Sequence, residues 1–95
     1  MRRRRIDANH SQLVATLRQV GAEVLDVHGL PGALDLLVGV RGVFYLVELK
    51  DGLKPASRRK TTPAEQATIE RFRAVGCPVI VASTEAELLG ALGLA

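Results

Sequence analysis

Two apolar runs, 34–40 and 43–50, are separated only by Arg41 and Gly42, and no other feature constrains the chain as much. Strands joined by two residues form an antiparallel hairpin, and Gly suits the positive φ that such a turn requires. The register follows from the turn: Val40 faces Val43 and, five residues back, Asp35 faces Glu48. Side chains alternate along a strand, so Phe44, Leu46, Glu48 and Lys50 share one face while Val43, Tyr45, Val47 and Leu49 share the other.

The remaining elements are read around this hairpin. Asn9 followed by Gln12 resembles a helix start, and Leu13, Val14, Leu17 and Val20 recur at helical spacing before Gly21, which predicts a helix over 9–20. A short strand is expected over 23–27, then a turn rich in Gly and Pro over 28–33. Residues 51–60 read as a polar, basic loop. Thr62 as cap, Pro63 at the first helical position and Glu65 three residues after the cap mark a second helix, with Ile69, Phe72 and Val75 as its expected buried stripe and Gly76 as its end. A fourth strand is expected over 78–82, and Thr84 with Glu87 opens a last helix that packs Leu88, Leu89 and Leu92. The order is αβββαβα. A meander followed by a helical crossover implies an α/β fold with a mixed sheet and helices on both faces.

With 95 residues, the chain suits a basic tail over 1–8 and one domain over 9–95. Aromatic residues make up only 3%, so the core is expected to consist of Val, Leu, Ile and Ala. The net charge of +3 permits a polyanionic partner. The basic residues are also blocked: Arg2, Arg3, Arg4 and Arg5 form one group, and Lys54, Arg58, Arg59 and Lys60 another. The single Cys77 has no internal disulfide partner and is expected to be buried and inert, and a cytoplasmic location is the default. Polar residues follow the arginine run where a secretory signal needs an apolar stretch, and no stretch is apolar enough to span a membrane.

An acid and an amine that end an otherwise apolar strand are costly unless paired, solvated or bound to a metal. Cross-strand neighbours lie about 5 Å apart, so a divalent ion can bridge Asp35 and Glu48. The carbonyl of Leu49 is a further candidate ligand. Hard oxygen donors suit Mg²⁺ or Mn²⁺, which retain waters for phosphate and nucleophile. Lys50 would orient or help deprotonate that water, or offset charge developing on phosphorus. His10 and His28 read as surface and turn residues, because neither has a partner at metal-ligand spacing.

Gly32-Ala33-Leu34-Asp35-Leu36-Leu37-Val38, Val47-Glu48-Leu49-Lys50-Asp51-Gly52 and Thr62-Pro63-Ala64-Glu65-Gln66, in that order, resemble the PD-(D/E)xK nucleases, in particular the small phage and bacterial VRR-NUC and Holliday junction resolvase-like branch. The likeness covers residues 7–92. It implies a restriction-endonuclease-like core, Asp35 and Glu48 as metal ligands and Lys50 as the catalytic lysine. It also implies a metal-dependent nuclease acting on DNA, with branched or structured DNA among the candidate substrates. Leu34 replaces the family's usual Pro before the Asp. Gln12 stands where the family often has a metal-holding Glu on the first helix, and reads equally as a capping residue. Gln66 matches a Gln often found near the active centre. The two basic blocks are candidate phosphate contacts, and a small domain gripping DNA would gain from forming a homodimer. The competing reading is a non-catalytic nucleic-acid-binding module on the same fold.

Overall fold

A computed structural model describes residues 10–50 and 61–94. Its elements are α1 (His10–Gln19), β1 (Glu23–Asp26), β2 (Leu36–Val40), β3 (Val43–Leu49), α2 (Pro63–Ala74), β4 (Val79–Ala82) and α3 (Glu85–Ala91), the expected order. The four strands form a single sheet in the order β1-β2-β3-β4. The β1–β2 and β2–β3 pairs are antiparallel, and β3–β4 is parallel.

The hairpin turns where the sequence placed it. Arg41 and Gly42 have φ of 52° and 78°, the pair of positive values that a type I′ turn uses to match strand twist. Val40 consequently pairs with Val43, and Leu36 with Val47. The ladder runs one step past the assigned start of β2, because Asp35 N donates to Val47 O at 3.0 Å.

Strand alternation divides the core into two. On one face, Leu36, Val38, Val47, Leu49, Ile80 and Ala82 pack with Leu13 and Leu17 of α1 and with Leu88 and Leu92 in and after α3. On the other, Val79 and Leu46 meet Leu34 and Ile69 of α2 in a smaller cluster. That second face carries the even-numbered residues of β3, including Glu48.

The buried side of α2 differs from expectation. Phe72 is exposed and Val75 is 77% exposed, whereas Glu65, Thr68 and Ile69 are buried. These three recur at i, i+3 and i+4, so α2 has an apolar middle and a polar N-terminal end facing the sheet. The helix stops at Ala74, and Val75, its C-cap, therefore falls outside the stripe. Val20 is likewise exposed, because α1 ends one residue earlier and the chain turns away through Gly21. Cys77, expected to be buried, is exposed in the connection between α2 and β4. No helix among the described residues is long and apolar enough to cross a membrane.

Candidate active site

The hairpin register and the start of α2 bring an acid–amine group together at one end of the sheet. Asp35 Oδ2 accepts the backbone N–H of Leu49 at 2.7 Å. This bond ties the entrance of β2 to the exit of β3, and so fixes the backbone on either side of Glu48. Next to it, Lys50 Nζ donates to Glu48 Oε2 at 2.8 Å, and it lies 3.6 Å from Glu65 Oε1.

Glu65 has two duties. Its carboxylate accepts the Thr62 backbone N–H at 2.9 Å, and Thr62 Oγ1 accepts the Glu65 N–H at 3.1 Å, a complete capping box. The same carboxylate provides the second negative group beside Lys50. Sequence reasoning assigned Glu65 to the cap alone. The i, i+3, i+4 pattern of Glu65, Thr68 and Ile69 is the signal that it faces the sheet. Thr68 Oγ1 adds a tether, donating to Gly32 O at 2.6 Å and so fastening α2 to the turn that leads into Asp35.

Glu48 is only 3% exposed. Burial pushes its pKa from 4.5 up to about 8; the hydrogen bond and charge of Lys50 oppose the shift, and the charges of Asp35 and Glu65 add to it. For Lys50, burial favours the neutral amine, but the hydrogen bond and charge of Glu48, with the charges of Glu65 and Asp35, outweigh it and move the pKa up. Lys50 therefore stays an ammonium at neutral pH. Burial would raise the pKa of Glu65, but the Thr62 backbone bond and the Lys50 charge hold it below the usual value.

The remaining oxygens of this group bear on whether a divalent cation fits. Glu48 Oε1 is buried without a hydrogen-bond partner among the described residues. An orphaned buried carboxylate oxygen is costly, and here it lies beside a second carboxylate, that of Asp35, close enough to raise its pKa. An all-oxygen pair of this kind fits a hard divalent cation. Glu65 does not join Asp35 and Glu48 in a set of donors all within 4.8 Å; the set of that size among the described residues is His10, Asp26 and His28. The cation would therefore be held by Asp35 and Glu48, and Glu65 serves Lys50.

Other expected site residues lie apart from this group. Gln66 is exposed and bonds Thr61 and Glu70, so the neighbouring Glu65 takes the inward position. Gln12 is exposed on α1, whose buried side packs on the opposite face of the sheet. His10, read as a surface residue, is 5% exposed and bonds Asp26. Lys54, Arg58, Arg59 and Lys60, together with Arg2, Arg3, Arg4 and Arg5, lie outside the described residues.

No family model matches the sequence, and no curated protein matches it. Among solved structures, a VRR_NUC domain superposes with a TM-score of 0.66 at 30% sequence identity, over 87% of this chain and 88% of that one.

Proposed function

The chain belongs to the VRR-NUC domain family, and from that premise we propose that it is a divalent-metal-dependent nuclease that hydrolyses phosphodiester bonds in DNA, with Asp35, Glu48 and Lys50 at its centre. The observation that carries the proposal is the buried Glu48 carboxylate, with one oxygen bonded to Lys50 and the other left without a partner beside Asp35.

Each side chain has a part that follows from its surroundings. Asp35 gives one oxygen to Leu49 N and Glu48 gives one to Lys50 Nζ, which leaves Glu48 Oε1 available to a cation beside the Asp35 carboxylate. The N–H of Leu49 points toward Asp35, and a strand residue directs its N–H and C=O to the same edge, so the Leu49 carbonyl is a third oxygen donor on that side. A bound Mg²⁺ or Mn²⁺ would supply Lewis-acid polarisation of the phosphate and acidification of a water. Lys50, kept charged by Glu48 and Glu65, serves as a fixed positive group for the pentacovalent phosphorane's developing charge rather than as a base. Glu65 positions that amine from the helix end. Lys54, Arg58, Arg59 and Lys60 follow β3 directly in sequence and would hold phosphates flanking the scissile bond, with the arginine run as a further contact.

The test is cleavage of labelled branched and linear DNAs with and without Mg²⁺ or Mn²⁺. Wild type is expected to cut only with the metal. Lys50→Ala should lose about 100-fold or more in rate while keeping metal-dependent DNA binding. Asp35→Asn should lose metal affinity and regain part of its activity in excess Mn²⁺. A wild type that binds DNA and cuts none of these substrates with either ion would leave a binding module on a nuclease fold.

A further inference from the structure

A second set of donors lies one strand away from the carboxylate–lysine group. His10 in the first turn of α1, Asp26 at the end of β1 and His28 two residues on each offer one ligand atom, all within 4.8 Å of one another. His10 Nε2 is 3.1 Å from Asp26 Oδ2, and His28 Nδ1 meets Asp26 Oδ1, so one carboxylate is gripped by an imidazole at each oxygen. The rings stand edge to face with centroids 5.7 Å apart. His28 N also donates to Asp26 Oδ1 at 3.1 Å, which folds the chain back and keeps the second ring at the carboxylate.

Two observations set this group apart from an ordinary surface ion pair. His10 is buried at a position where the helical period of Leu13 and Leu17 calls for an apolar side chain, and its ring there depends on Asp26 for a polar partner. Beside it opens a cavity of about 270 Å³ lined by His10, Ser11, Val14, Ala15, Arg18 and Asp26, which is large enough to admit water to the His10–Asp26 side of the group.

We propose that His10, Asp26 and His28 form a second cation site, selective for a borderline late first-row divalent ion such as Zn²⁺, that clamps the start of α1 to the end of β1. Two imidazoles and a carboxylate are a donor set that Zn²⁺ favours, and water from the adjoining cavity would complete a four-coordinate shell. Mg²⁺ prefers oxygen donors and is disfavoured by two imidazoles. The clamp bears on the backbone of that other site, because Asp26 pairs with Leu36 and Val27 N donates to Asp35 O at 3.0 Å. The proposal does not depend on the nuclease reading and stands or falls separately.

The experiment is calorimetric titration of the full chain with Zn²⁺ in excess Mg²⁺, paired with thermal melts. Wild type and Glu48→Gln should each bind one equivalent and gain in Tm. His28→Ala should weaken binding by at least the ~100-fold that even a change outside the ligand shell can bring, and should lose the Tm gain. His10→Gln should do the same; because His10 is buried, its fold is checked by circular dichroism, and His28→Ala carries the test if it unfolds. With Co²⁺ in place of Zn²⁺, a visible ligand-field spectrum of imidazole type should appear in wild type and vanish in His28→Ala. Absence of Zn²⁺ binding, binding that survives His28→Ala, or binding lost in Glu48→Gln would each overturn the proposal, the last by placing the ion at the carboxylate pair.

Discussion

Glu48 enters the fold as an acid whose burial outweighs the help of its own counter-ion, and its pKa rises from 4.5 to about 8. Because the folded-state value lies above the unfolded one, the contribution of this group to stability is full below about pH 4.5 and is lost as the pH rises through about 8. The loss is on the order of a few kcal/mol. In chelator, Glu48→Gln should therefore match wild type near pH 4.5 and exceed it by a few kcal/mol near pH 8, read from denaturant melts across that range. Added Mg²⁺ should narrow the gap for wild type alone. Equal pH slopes for the two proteins would mean that Glu48 is not held as an uncompensated acid. A group that lowers the stability of the resting protein is typical of residues kept for chemistry.

At the scale of elements, the cap of α2 is also a wall of the site, and the two roles of Glu65 can be separated. Glu65→Gln keeps a capping-box side chain but removes the charge beside Lys50, so its stability should stay within about 0.5 kcal/mol of wild type while cleavage and its pH profile change. Glu65→Ala removes both, and should cost about 1 kcal/mol in addition. If the two variants cleave and melt alike, Glu65 is only a cap. Most elements were legible in the sequence because their signals are local: the Arg41-Gly42 turn set the hairpin register, and the Thr62 and Thr84 capping boxes set two helix starts. The buried side of α2 was not legible. Phe72 and Val75 are the more hydrophobic choices, but the polar end of the helix is drawn inward by Lys50 and Gly32, partners far away in sequence. His10 and Asp26 are 16 residues apart and meet only once α1 lies beside β1, so no spacing rule finds them.

If the chain cleaves DNA as proposed, the whole molecule must grip a long polyanion with a small surface, and two predictions belong to that scale. If Arg58, Arg59 and Lys60 touch phosphates, replacing all three with Gln should weaken DNA binding on every sequence and flatten the salt dependence by roughly one unit of slope for each phosphate no longer neutralised; an unchanged slope would make them solvated surface. The second prediction starts from the unequal cover of the sheet. One face carries α1 and α3, whereas the other carries α2, which packs near β3 and β4. Over β1 and β2 no helix among the described residues covers that face: Leu25, 59% exposed, pairs with Leu37, and Phe44, 70% exposed, lies against Gly39. A contiguous apolar surface of this kind on a small domain is a site of association. A two-fold pairing of identical patches would bury it, and would set two active centres on one duplex. Sedimentation velocity should therefore show a dimer at micromolar concentration. Leu25→Lys with Phe44→Lys should give a folded monomer, since both side chains are exposed and neither belongs to the core clusters. The monomer should retain the Zn²⁺ and Mg²⁺ responses of each site but bind long DNA more weakly than the dimer, because two linked grips act on one strand with a raised effective concentration. A wild type that sediments as a monomer at all concentrations would remove the pairing and leave the patch for another partner.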